Sequence, residues 1–169
     1  MPRCLRQALP VVAAVVSAAF TVVALAAIAG HHFVWNLSAS LPRGLYVLDH
    51  AAPPVRGAVV SFPAPPAAAA LIAERGYLPK GASLLKVVVG LPGDSVCITA
   101  SSYLARGRVI GPVASRDTKG RVLAPFEFCG TVPAGVAFVA TSSPLSFDSR
   151  YFGPVPVSSL IVAVPVWTY

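Results

Sequence analysis

Two stretches of this 169-residue chain carry residue types that could attack a carbonyl. In Asn36-Leu37-Ser38-Ala39-Ser40-Leu41-Pro42-Arg43-Gly44-Leu45-Tyr46, two hydroxyls sit two residues apart just before a proline turn. In Leu84-Leu85-Lys86-Val87-Val88-Val89-Gly90-Leu91-Pro92-Gly93-Asp94, a lysine is embedded among aliphatic residues. A serine hydroxyl is a poor nucleophile until a neighbour takes its proton, and histidine or an uncharged lysine can do so.

The histidines offer little. His31 and His32 follow a long apolar run, and His50 lies in a polar turn ahead of Pro53-Pro54. A Ser-His-Asp triad is assembled from distant residues, so spacing leaves it open, but no Gly-x-Ser-x-Gly elbow supports it. Of the three lysines, Lys80 and Lys119 stand in Pro-Lys-Gly and Thr-Lys-Gly turns, where water keeps an ammonium charged. Lys86 has apolar neighbours, and burial there disfavours its charged form; a fall from about 10.4 to about 7.5 corresponds to roughly 4 kcal/mol of differential interaction. Ser40 with Lys86 is therefore the candidate nucleophile and general base. The residues alone leave a second reading, in which Lys86 projects to solvent from a strand whose other face is buried.

These residues need elements to hold them. From Ala8 to Gly30 the chain has 23 uncharged residues, about 34 Å as a helix, enough to cross a hydrocarbon core of roughly 30 Å. Arg3 and Arg6 precede this run, so the positive-inside rule keeps residues 1–7 cytoplasmic and sends residues 31–169 outward. A cleaved signal peptide is the competing reading, since Ala24-Leu25-Ala26-Ala27-Ile28-Ala29 offers small residues at cleavage-like spacing. The run exceeds the usual h-region, which favours a retained anchor at 8–30.

Beyond it, short Val-, Ile- and Phe-rich stretches alternate with proline and glycine, which predicts a mostly β domain. Strands are expected over 44–48, 58–62, 83–89, 95–99, 108–113, 136–141 and 160–167. Ala67 to Glu74 could form one short helix, although the Ala/Pro run from Pro63 to Ala70 reads more simply as a surface loop. Of the cysteines, Cys4 falls on the cytoplasmic side. Cys97 and Cys129 fall in the exported part, where an oxidising compartment allows a disulfide between them; the alternative is two buried free thiols. No Cys/His spacing fits a metal, so neither metal nor cofactor is expected. The formal charge of +7 is scattered and forms no arm for nucleic acid, and attraction to an anionic membrane surface fits it better.

Four blocks in order resemble the bacterial signal peptidase I superfamily, and within it the TraF-type conjugal transfer peptidases. Ser38 to Tyr46 is similar to the TraF-type nucleophile segment, S-x-P-x-G-L-Y. Arg56-Gly57-Ala58-Val59-Val60 resembles R-G-D-x-V, with Ala58 where an aspartate is usual. Lys86 through Asp94 resembles K-x-V-x-G-L-P-G-D, and Ser146 to Pro156 resembles S-x-D-S-R-x-x-G-x-V. The resemblance implies a signal-peptidase-like β domain behind one N-terminal transmembrane helix, with Ser40 as nucleophile and Lys86 as general base. It further implies that the Ser38 hydroxyl helps a backbone N–H hold the oxyanion and that Ser146 orients the lysine. Asp148 and Arg150 then read as structural support, pairing or capping the loop that carries Ser146.

The implied activity is a serine endopeptidase of the inner membrane with a periplasmic catalytic domain. Its implied partners are a membrane-held precursor, foremost a pilin subunit that it processes or cyclises, the lipid bilayer and components of a conjugation apparatus. Two alternatives remain at this point. One is a general type I signal peptidase; the other is an inactive membrane-anchored scaffold.

Overall fold

Short Val-, Ile- and Phe-rich runs set off by proline and glycine give this chain its strands. In the computed structural model, which describes residues 15–18, 20, 21, 32–79 and 81–169, eleven strands are found among the described residues. The cytoplasmic segment 1–7 and Cys4 lie outside the described residues. So does the expected span 8–30, apart from residues 15–18, 20 and 21, which are helical. Among the described residues no helix is long and apolar enough to cross a membrane.

Residues Phe33–Tyr169 form one unit built on two sheets. The larger has the order β1-β2-β11-β3-β4-β9-β10, from β1 (His32–Asn36), β2 (Gly44–Asp49), β3 (Val59–Phe62), β4 (Leu84–Gly90), β9 (Val136–Ala140), β10 (Val155–Pro156) and β11 (Ile161–Thr168). The smaller has the order β7-β6-β5-β8, from β5 (Ser95–Ile98), β6 (Ser102–Ala105), β7 (Arg108–Pro112) and β8 (Phe128–Thr131). Seven of these strands match the expected stretches to within one or two residues. β1, β6, β8 and β10 were not expected, being short and mixed in polarity. The β6–β7 hairpin turns on Arg106 and Gly107, both at positive φ (52° and 70°), as a two-residue hairpin loop requires.

The expectation of a surface loop around Pro63 to Ala70 is corrected by helix α1 (Pro66–Arg75). Proline at its first turn presets φ, alanines propagate the helix cheaply, and Gly76 ends it in the left-handed region. Its Ala68 and Ile72, four apart, enter the main core with Val60, Phe62, Leu84 and Val88. A second core of Val96, Ile98, Tyr103 and Phe138 fills the smaller sheet's side.

Cys97 stands opposite Cys129 across β5 and β8, and the two form a disulfide rather than two buried free thiols. Gly44 begins β2 at φ 141°, where β2 runs so close to β11 that a Cβ would fall on the Trp167 carbonyl oxygen. The start of β2 fixes the exit of the serine-bearing turn.

Candidate active site

Lys86 lies on the interior strand β4, opposite Val60 of β3. Strand alternation puts it on the same face as Leu84 and Val88, both core residues, and its side chain is only 5% exposed. The reading of Lys86 as a solvent-facing strand lysine therefore fails. Burial lowers its pKa to about 8; the nearby Asp148 carboxylate opposes the fall and Arg150 adds to it.

Its Nζ lies 3.1 Å from Ser40 Oγ, 46 residues away in sequence. Ser40 sits half-buried in the turn between β1 and β2, and its Oγ is 3.1 Å from Ser38 Oγ. The turn closes around Asn36, the buried last residue of β1, whose amide Nδ2 donates to the carbonyls of Ser38, Leu41 and Pro42. The buried Tyr46 hydroxyl also donates to the Pro42 carbonyl, at 2.8 Å. Asn36 and Tyr46 were not singled out from the sequence as site residues. An asparagine just before a Ser-x-Ser turn is a local signal for this geometry, because its side chain readily bonds backbone two residues on.

Ser146 lines the same cleft and is 2% exposed, but Lys86 Nζ bonds Ser40, and Ser146 Oγ makes no hydrogen bond with the described residues. The contact by which Ser146 was expected to orient the lysine is thus not formed. Ser146 is nevertheless near enough to Asp148 to favour that carboxylate's ionised form.

Asp148 and Arg150 are fully buried, and their ion pair is 2.6 Å. Asp148 caps helix α2 (Ser149–Phe152) by accepting the Arg150 N–H, and its other oxygen accepts the Thr141 N–H. Arg150 in turn donates to the Thr141 and Ser143 carbonyls. The pair therefore staples the 141–150 segment. Burial pushes the Asp148 carboxyl up, while Arg150 and the Arg150 backbone N–H pull it down.

Arg56 forms a two-pronged bond with Asp94, at 2.8 and 3.0 Å, which joins the second and third sequence blocks and holds the Asp94 carboxyl below its ordinary range. The segment is held without an aspartate at position 58. Val88 N–H donates to the Ala58 carbonyl at 3.0 Å.

Ser38, Ser40, Lys86 and Ser146 open onto a cleft of about 570 Å³. Its apolar floor includes Ile72, Leu78, Leu84, Leu85 and Phe147. One wall is tied down by Asp117, which accepts from Tyr77 Oη (2.6 Å) and Arg121 Nε (2.7 Å). Burial works to raise the Asp117 pKa, but the hydrogen bonds from Tyr77, Arg121 and two backbone N–H groups prevail and hold it well below the usual carboxylate range. Neither described histidine, His32 or His50, is among the cleft residues. Lys119 is exposed, and Lys80 lies outside the described residues.

A serine hydroxyl beside a buried amine, at the mouth of an apolar cleft in a mostly β domain, fits one class, the serine peptidases. The family comparison agrees with that class, because the model for "Signal peptidase, peptidase S26" matches residues 4–168, and the chain belongs to this family. Its relatives are of TraF type. It is 38% identical over 145 residues to a conjugal transfer protein TraF of Agrobacterium fabrum (strain C58 / ATCC 33970), covering 79% of this chain and 81% of that one. It is 34% identical over 148 residues to a plasmid transfer protein TraF of Escherichia coli, covering 79% and 82%. A solved signal peptidase I from Enterococcus faecalis V583 aligns at 27% identity with a TM-score of 0.36, over 63% of this chain and 92% of that one.

Proposed function

We propose that this chain is a Ser/Lys-dyad endopeptidase of TraF type that processes a membrane-held pilin precursor for conjugative transfer. The observation that carries the reading is the 3.1 Å contact between Ser40 Oγ and a lysine that burial brings to a pKa of about 8. An amine in that range can take a proton at neutral pH and return it later in the same cycle.

As Ser40 Oγ bonds to the scissile carbonyl carbon, its proton passes to Lys86 Nζ. The oxygen that becomes negative is held by the Ser38 hydroxyl and a backbone N–H. The C–N bond then breaks, the amine leaves with the proton from Lys86, and an ester remains on Ser40. Water resolves the ester to a linear product, with Lys86 taking a proton from the water. If the substrate's own amino terminus attacks instead, the product is cyclic and lighter by one water. Ser146, which makes no contact with Lys86 at rest, would orient it only by turning its hydroxyl toward Nζ during these transfers.

The conjugation substrate is supported by the names of the relatives, which concern conjugal and plasmid transfer. The apolar cleft floor suits small, uncharged side chains. The uncharged run 8–30 supports a single anchor with residues 1–7 in the cytoplasm and the catalytic unit in the periplasm. Since Ser40 follows that run by ten residues, a membrane-held precursor would present its cleavage site close to the bilayer.

The test is co-expression of the full chain with a pilin precursor, recording product masses for wild type, Ser40→Ala and Lys86→Ala. Processing is expected only with wild type. If both variants process as wild type does, the dyad is wrong, and a product one water lighter than the linear form identifies cyclisation.

A further inference from the structure

The side chain of Asn36 is 4% exposed and makes five hydrogen bonds, all of them to the turn that carries Ser40. Its Oδ1 accepts from the Ser38 N–H (3.1 Å) and the Ser38 hydroxyl (2.9 Å). Its Nδ2 donates to the carbonyls of Ser38, Leu41 and Pro42 at 2.9 to 3.2 Å. Only one amide orientation fits, because exchanging Oδ1 and Nδ2 would set an oxygen against three carbonyls and an NH2 against an N–H. Carbonyls from both sides of Ser40 thus converge on one side chain.

This fixed orientation also sets the direction of the hydroxyl hydrogens. Asn36 Oδ1 can only accept, so the single hydroxyl hydrogen of Ser38 points to Asn36. The 3.1 Å contact between Ser38 and Ser40 must then be filled by the Ser40 hydrogen. The 3.1 Å contact between Ser40 and Lys86 must be filled by a hydrogen of Lys86. At rest the chain runs Lys86 to Ser40 to Ser38 to Asn36, and the Ser40 proton faces away from its base.

Resting on the Ser40/Lys86 reading above, we propose that Asn36 is a positioning residue for the reaction, which folds the nucleophile turn and holds the Ser38 hydroxyl hydrogen until substrate arrives. When a carbonyl oxygen enters, the Ser38 hydrogen turns from Asn36 to that oxygen. The Ser40 hydrogen, released from Ser38, transfers to uncharged Lys86 Nζ. Asn36 keeps the Ser38 N–H throughout, so the turn does not move as the hydroxyl swings. One proton changes owner, from Ser40 to Lys86.

The experiment uses the full chain in detergent micelles with N-acetyl-alanine p-nitrophenyl ester as probe, following p-nitrophenolate release from pH 6 to 10. Asn36→Ala is expected to lower kcat about 100-fold, as loss of one transition-state donor does, with KM within about twofold of wild type. The pH midpoint should stay near 8, because Lys86's burial and charged neighbours are untouched. A wild-type kcat overturns the proposal. So does a lowered kcat accompanied by a midpoint that moves up toward the ordinary lysine value, since that means the pocket has opened and Asn36 is merely structural.

If the alanine variant does not accumulate, the isosteric Asn36→Asp carries the test. It deletes the three donations while keeping an acceptor for Ser38, and it should also lower kcat at unchanged KM; wild-type kcat would overturn the proposal. Ser40→Ala is run beside both. Undiminished ester turnover in that variant sinks the dyad reading itself, separately from the role of Asn36.

Discussion

Replacing Lys86 with methionine should make the protein more stable while removing the proposed base. The lysine is held at a pKa of about 8 against an ordinary value of 10.5, chiefly by burial, which corresponds to roughly 3 kcal/mol of work against keeping it charged. At pH 7 the folded protein bears that cost in full, and an uncharged side chain of similar length does not. The sign with pH follows from proton binding. Because the folded-state pKa lies below the unfolded one, the unfolded chain binds more protons between about pH 8 and 10.5. Wild-type stability therefore rises through that window. Urea denaturation of the full chain in micelles should show Lys86→Met more stable by up to about 3 kcal/mol at pH 7, with the difference shrinking as pH rises from about 8 and vanishing above about 10.5. A variant less stable than wild type at pH 7, or a difference that does not change with pH, would refute the idea that burial lowers the pKa of this lysine.

Other perturbations bear on the supporting residues. Arg150→Met leaves Asp148 buried without its ion-pair partner and should cost about 3–5 kcal/mol in urea denaturation; a loss under about 1 kcal/mol would contradict the staple described for the 141–150 segment. Ser146→Ala deletes a buried hydroxyl that bonds nothing in the resting state, so thermal unfolding should be unchanged or slightly raised, while a role in orienting Lys86 requires kcat to fall about tenfold or more. Cys97→Ser with Cys129→Ser opens a cross-link spanning 32 residues and should cost about 3–4 kcal/mol by chain entropy, with ester turnover unchanged because neither cysteine lines the cleft.

Much of the scaffold was legible because short apolar runs rich in β-branched residues and bounded by proline or glycine mark strands regardless of their partners, as in β3, β4, β9 and β11. The helix α1 was misjudged as a loop because Pro63 to Ala70 looks like low-complexity punctuation. Proline presets the first turn, however, and the helix becomes apparent only when Ala68 and Ile72 are seen to pack on a core built from distant strands. β6 and β8 were missed since each is four residues long and borrows its stability from β5 between them. The hydroxyl pair and the lysine could be picked out by residue type, and their family blocks fixed which serine mattered. The burial of Lys86 was an open alternative until β3 and β9 flanked it. The work of Asn36 was hidden because its three carbonyl partners carry no side-chain signature.

The most direct measurement of the central claim is mass mapping of the acyl adduct formed by N-acetyl-alanine p-nitrophenyl ester on the full chain, as a function of pH. With a pKa of about 8, about one Lys86 in ten is uncharged at pH 7, against fewer than about one in a thousand at the ordinary value. The adduct should therefore map to Ser40, form at a rate that rises through a midpoint near pH 8 and then levels, and be lost in Lys86→Ala. An adduct on another residue, or one on Ser40 whose rate is unchanged by Lys86→Ala, would contradict the Ser40/Lys86 dyad.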